Sequence, residues 1–453
     1  MVSNQKKYNT YRLTFGEMVY ESYSYTVDTE GMRMEFAFRL NDKIVYRPTA
    51  SIPRRSFLDF DQPKELMDTL VFNIGMIELV SYWKSFCPKV VKVLPHSLDE
   101  TQIDFWKKIY FNGLGEFFYT NGIHATIEDF MTIEAGGRRS VVSGRWSDGR
   151  GQQSEVNYLV PIGGGKDSVV SLELLRECGV RPLIMNPRGA TTLCAERGGF
   201  TQEETLVINR RIDPLLLEMN AKGCLNGHTP FSAMLAFYTL LAATLSGVRN
   251  VALSNENSAN ESTVSGSSVN HQYSKSLEFE NDFRSYAAKY VTPRVNYFSF
   301  LRPLSELQIA KLFSREEKYY DVFKSCNAGS KQDVWCGECA KCLFAYIILS
   351  PFIAPEKLNA IFGKSMLDDC GLRGYFEQLT GHTESKPFEC VGTISEVNTA
   401  LVMAKRRWYG DGSAPKLLKS FEYDGEMVSL NTLFSEHNLT KAELDLLKNK
   451  LEV

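Results

Sequence analysis

The chain has 453 residues, 43% hydrophobic and 23% charged, and its 51 Lys and Arg against 54 Asp and Glu leave a formal net charge of -3. That balance argues against a general nucleic-acid binder, which needs a basic face, and no uncharged apolar run is long enough to span a bilayer. The first residues, MVSNQKKYNTYRLTF, lack the apolar core of a secretory signal, so a cytoplasmic location is expected, with the ten cysteines as thiols or metal ligands rather than disulfides.

Residues 20–27 and 32–40 alternate apolar with polar side chains, and Asn41-Asp42 turns the chain into 44–46, so residues 1–60 are expected to be β-rich. The pattern from 63 to 86 is helical, with Leu66, Leu70, Ile74 and Ile77 on one face, and 103–118 continues it. Residues 131–133 return to strand character, and the glycine- and charge-rich stretch 136–153 reads as a linker. Residues 1–150 hold no phosphate loop and no metal spacing; they are expected to form a mixed α/β domain capping a large substrate.

Residues 155–350 alternate strand and helix, the pattern of an α/β doubly wound parallel sheet. Strand-like 158–162 meets Gly163, Gly164 and Gly165, and then Lys166-Asp167-Ser168 opens an apolar helix. Strand, glycine loop and helix N-terminus bring backbone N–H groups onto an anion, with Lys166 adding charge and Ser168 a donor. Asp167 between Lys and Ser excludes a Walker loop, and no third glycine stands where a dinucleotide fingerprint needs one. The remaining G-G-x-D-S resembles the PP-loop, S-G-G-x-D-S, of the ATP pyrophosphatases, with Gly163 in place of the first serine. That resemblance implies cleavage of ATP between the α- and β-phosphates and transfer of AMP to a carboxylate or carbonyl-type oxygen. A glycine turn with no ligand is the plainer alternative.

Further strands are expected at 183–186, 205–208 and 251–253, with a buried helix at 231–246. Ligands in such sheets bind at the carboxyl ends of strands. The resemblance implies that Met185 and Asn186 recognise adenine there. The polar run 254–262 follows a strand too, and its Asn255 and Glu256 are candidates for Mg²⁺ and pyrophosphate; a solvated loop is the alternative.

Cys336, Cys339 and Cys342 have C-x-x-C-x-x-C spacing, and Cys326 lies upstream; four thiolates so placed can close a tetrahedral zinc site. An iron–sulfur cluster and a metal-free turn are the alternatives. The set is similar to the zinc site of the 7-cyano-7-deazaguanine synthases, and structural zinc is the expectation. Residues 351–453 read as a helical and irregular C-terminal extension, with pieces at 356–362 and 373–379 and a leucine-rich tail. Between them, 381–393 gathers His382, Lys386, Glu389 and Cys390 into a glycine-bounded loop suited to proton transfer or anion binding.

Taken together, GGGKDS at 163–168, SNENSANE at 254–261, NHQYSKS at 270–276, WCGECAKC at 335–342 and KPFECVGT at 386–393 resemble the MurL family, ATP-dependent epimerases of bacterial cell-wall synthesis. The resemblance implies an isomerase using ATP and Mg²⁺ on a small-molecule substrate, UDP-MurNAc-L-Ala-L-Glu, with no nucleic acid, membrane or obligate protein partner. The chemistry is coherent: removing an α-proton beside a free carboxylate makes a dianion, and adenylating that carboxylate first removes the obstacle. His228, His271, Lys275, His382 and Cys390 are candidates for two proton carriers on opposite faces of the α-carbon, each with a capping or hydrogen-bonding alternative. Arg188, Arg197 and Arg302 are candidates for the UDP-sugar. Three rival readings remain: a deazaguanine-synthase-like ligase, marked by ammonia dependence; an RNA-thiolating enzyme, disfavoured by the charge balance; and a nucleotide-binding regulator that releases no pyrophosphate.

Overall fold

A computed structural model of the chain describes residues 3–57, 62–136, 156–267, 269–409 and 414–452. Nearly all of the linker expected at 136–153 lies outside the described residues. Two compact units interleave along the chain. Met1–Asn157 supplies α1 (Asn4–Thr14), β1 (Glu17–Val27), β2 (Gly31–Asn41), β3 (Ile44–Tyr46), β4 (Thr49–Pro53), α2 (Lys64–Trp83), β5 (Val90–Val93), α3 (Glu100–Gly113), α4 (Gly115–Thr120) and β6 (Thr132–Ala135) to the first unit. The second unit begins with β7 (Tyr158–Pro161), α5 (Lys166–Leu175), β8 (Val180–Met185) and α6 (Gly189–Arg197). The chain returns to the first with β9 (Leu206–Arg211), α7 (Pro214–Ala221) and α8 (Phe231–Ser246), runs on into β10 (Asn250–Leu253), and later adds α9 (Leu277–Tyr290). After β11 (Asn296–Ser299) the rest belongs to the second unit: α10 (Glu306–Phe313), α11 (Ala340–Leu349), α12 (Pro355–Phe362), α13 (Arg373–Thr380), α14 (Ile394–Trp408) and α15 (Lys441–Glu452).

The fold is mixed α/β with a helical C-terminal region, as expected. In the first unit the strand order is β9-β4-β2-β1-β5-β6, with β3 also on β2. β2 pairs antiparallel with β1 and β4, and β5 runs parallel to β1 and β6. The β-rich start is preceded by a helix that alternation did not reveal, α1, capped by the Ser3 hydroxyl accepting from Lys6 N–H. α2 differs from the one-faced helix expected: it is buried on nearly every side, including Asn73 and Glu78.

β9 fits the expected third strand and pairs antiparallel with β4. A buried charge ties it to α2. Arg210 on β9 donates to both carboxylate oxygens of Glu78 on α2, at 2.5 and 2.7 Å, and Tyr238 of α8 donates to the same carboxylate at 3.0 Å. A buried carboxylate held this way needs its guanidinium, so β9 is fixed to α2.

In the second unit β11, β10, β7 and β8 lie side by side in that order, and β7 and β8 are parallel. Its core gathers apolar faces of α5, α10, α11, α13 and α14 with the strand residues Val160 and Phe298. α14 begins with a capping box, Thr393 to Glu396.

Candidate active site

The phosphate-loop pattern folds as its residues require. β7 ends at Pro161, and the glycines carry the chain to α5, whose N-cap is Gly165. Gly164 adopts φ +83, which favours glycine, and a Cβ there would lie a tight 3.1 Å from the Cβ of Ala190. At Gly163 an added Cβ would meet nothing within 4 Å, which suits the position where PP-loops carry serine. Ser168 donates to the Gly165 carbonyl at 3.0 Å within the first turn.

Lys166 is turned inward. Its ammonium is buried and paired with Asp167 and Glu306. Burial works against that charge, but the two carboxylates outweigh it and hold the amine above the usual lysine range. Asp167, Glu256 and Glu306 bring carboxylate oxygens within 4.8 Å of one another. Burial pushes the Glu306 carboxyl up, Lys166 opposes the shift, and Asp167 and Glu256 add to it. Three carboxylates around one ammonium leave net negative charge, and hard oxygen donors suit Mg²⁺.

Glu256 reaches the cluster because its loop is braced. Ser258 donates to its carboxylate at 2.8 Å, and the wholly buried Arg302 donates to its backbone carbonyl at 2.6 Å. Asn255 donates to the Ser299 hydroxyl at 3.0 Å. Glu306 carries no motif and was missed by sequence reasoning; it lies at the first position of α10, where its N–H is bound by Glu396 at 2.8 Å. The Ser305…Gln308 capping box marked that helix start, but not the direction of the carboxylate.

Two motif blocks distant in sequence meet in the second unit. Val264 and Ser385 form an antiparallel bridge, Lys386 N–H donates to the Thr263 carbonyl at 3.0 Å, and the buried Lys386 ammonium pairs with Glu261. His271 stands in the same region, its N–H on the Thr263 hydroxyl at 3.0 Å. Burial raises the Glu389 carboxyl, Lys341 lowers it, Cys390 raises it and His271 lowers it, so these groups share one electrostatic neighbourhood. Asn327 donates to Glu389 at 2.6 Å. Of the expected proton carriers, His271 and Cys390 are therefore grouped, with Glu389 a member that the composition of 381–393 had already displayed.

His228 belongs to the first unit, its Nδ1 3.2 Å from Glu116. The buried Lys84 donates there to the Thr229 hydroxyl at 2.6 Å and to the Gly227 carbonyl. Lys275 sits in a short turn, Tyr273–Lys275, of the first unit. His382 is exposed, and its Nδ1 is 2.8 Å from the Thr380 hydroxyl at the end of α13. Met185 is half-buried at the end of β8, and Asn186 beyond it is exposed with φ +53. Of the arginines, Arg188 begins α6, Arg197 pairs with Asp321 at 2.6 Å on the surface, and Arg302 is interior.

Cys326, Cys336, Cys339 and Cys342 converge, with sulfurs 3.8 Å apart for Cys326 and Cys339, 3.7 Å for Cys336 and Cys342, and 3.5 Å for Cys339 and Cys342. Four sulfurs about 2.3 Å from a tetrahedral zinc stand about 3.8 Å apart, so the donors fit that ion. The N–H groups of Gly329 and Glu338 point at the Cys326 and Cys336 sulfurs, at 3.1 and 3.4 Å, as they do around thiolates.

Strand, left-handed glycine loop, helix N-terminus, carboxylate cluster and four-cysteine knot all lie in one unit. They define an α/β protein built on a glycine-rich turn from strand to helix. The MurL N-terminal domain model matches residues 9–300 and the MurL C-terminal domain model matches 322–422, so the chain belongs to the MurL family. It is 35% identical to the UDP-N-acetyl-alpha-D-muramoyl-L-alanyl-L-glutamate epimerase of Xanthomonas oryzae pv. oryzae, over 84% of this chain and 91% of that one. Proteins of the same name from a Micromonospora species and from Salinispora tropica are 37% and 34% identical, over 75% and 84% of this chain and 75% and 83% of theirs. No solved structure matches significantly.

Proposed function

We infer that this chain catalyses the epimerisation for which its relatives are named, converting the terminal L-glutamate of UDP-MurNAc-L-Ala-L-Glu to D-glutamate in peptidoglycan precursor synthesis. We propose that it does so with ATP as co-substrate, in the cytoplasm. The observation that carries the adenylating half is the meeting of Asp167, Glu256 and Glu306 at the first turn of α5, beside the left-handed Gly164.

In this reading the N–H groups at the α5 N-terminus hold the triphosphate, and the three carboxylates hold Mg²⁺, which offsets phosphate charge. Met185 and Asn186 take the adenine side. A glutamyl α-carboxylate oxygen attacks the α-phosphorus, the bond to the β-phosphate oxygen breaks, and pyrophosphate leaves. The acyl adenylate carries no carboxylate charge, so its α-proton can pass to a base. His271, Glu389 and Cys390, grouped in the second unit, are the carriers we favour. A proton is returned to the opposite face, and water then releases AMP. Four thiolates leave a bound zinc no open position, so its contribution is structural.

The test is incubation with UDP-MurNAc-L-Ala-L-Glu and ATP in D₂O. We expect equal amounts of pyrophosphate, AMP and D-glutamyl product, with deuterium at the α-carbon. Inversion that proceeds unchanged without nucleotide would overturn the proposal.

A further inference from the structure

The segment that carries the first cysteine also grips the phosphate loop. Lys324 N–H donates to the Gly164 carbonyl at 2.7 Å, and the Ser325 Cβ lies 3.2 Å from where a Cβ on Gly165 would stand. Cys326 follows directly. On its other side Gly164 rests on the first turn of α6, against Ala190 and the Thr191 N–H. That first turn is held by the same segment: the Asp333 carboxylate accepts from Gly189 N–H at 3.0 Å and from Ala190 N–H at 2.9 Å. The approach is close enough that a Cβ on Gly189 would lie 2.5 Å from the Asp333 carboxylate. Asp333 itself adopts φ +52, a conformation that Asp tolerates better than most residues but that still costs energy.

Two consequences follow. Asp333 already takes two N–H groups at the N-terminus of α6, leaving anion binding to α5. It also fixes the position of α6, and thereby the surface on which Gly164 lies and the turn running from Met185 to Arg188. We propose that Asp333 is a positioning residue for nucleotide binding: it ties the four-cysteine segment to α6 and holds the phosphate loop in its binding conformation. The proposal rests on the ATP reading above.

The test uses full-length Asp333→Gly, which keeps the positive φ and removes the carboxylate, and Asp333→Asn, which keeps the shape but leaves one acceptor oxygen and so only one of the two bonds. Binding of α,β-methylene-ATP is measured by calorimetry, together with zinc per chain and the thermal midpoint. Loss of two charge-assisted hydrogen bonds predicts binding about tenfold weaker or more for Asp333→Gly, with Asp333→Asn intermediate. Zinc content should match wild type, and KM for ATP should rise more than kcat falls. Unchanged affinity in Asp333→Gly would overturn the proposal. So would an affinity loss accompanied by proportionate loss of zinc, which would mark a merely structural role. A wild-type protein that binds no α,β-methylene-ATP would instead sink the ATP reading itself.

Discussion

Adjacent glycines in the phosphate loop are not equivalent. Gly164 has φ +83 and Ala190 at its back, while Gly163 has open space. A side chain at Gly164 costs about 1–2 kcal/mol in the left-handed conformation alone, before displacement of α6. Gly164→Ala should therefore reduce pyrophosphate release at least about a hundredfold if the loop must keep sub-ångström geometry. Gly163→Ser should stay within a few-fold of wild type, and both are read by a steady-state pyrophosphate assay. Much of this scale was legible in sequence: the G-G-x-D-S loop, Glu256 and the four cysteines were visible because their spacing is local. Glu306 was not, because a lone glutamate at a helix start looks like any first-turn acid that favours the dipole. The inward turn of Lys166 was equally hidden, since it depends on Glu306.

Among elements, β9 shows the largest departure from the expected parallel pattern. Its apolar run looked like any buried strand, and nothing in it announced that Arg210 would find Glu78 on α2. Arg210→Ala should lower stability by about 3–5 kcal/mol by stranding the Glu78 carboxylate, measurable by denaturant unfolding. The double variant Arg210→Met with Glu78→Leu should recover much of that loss. Lys84 gives a pH signature. Burial lowers its amine from 10.5 to about 8, with Arg210 adding to the shift and Glu116 opposing it. Between those values the unfolded chain holds a proton that the folded chain has released, so folding stability from this group rises with pH across about 8 to 10.5. Below about 8 both forms are protonated and the burial cost is complete. Wild type should gain about 3 kcal/mol relative to Lys84→Met across that window, the shift converted to free energy. A flat difference between the two unfolding curves would refute the assignment.

At the scale of the molecule, alternating strands and helices at 155–350 suggested one continuous domain, yet Leu206–Val251 and Tyr273–Tyr297 pack in the first unit. Propensity and periodicity locate elements but carry no address for long-range partners. A fragment of residues 155–350 should not fold, because α8 loses its partner α2 and exposes Phe237, Leu240 and Leu241. Circular dichroism without a cooperative thermal transition is the expected result; a sharp transition would show that the interleaving is dispensable.

The interleaving also bears on how such a chain is made. On the ribosome, β4 is synthesised long before β9, and all of Tyr158–Thr205 emerges between them. The early sheet edge must wait unpaired, an aggregation hazard that invites chaperones. Translation halted anywhere before Tyr297 leaves both units unfinished at once.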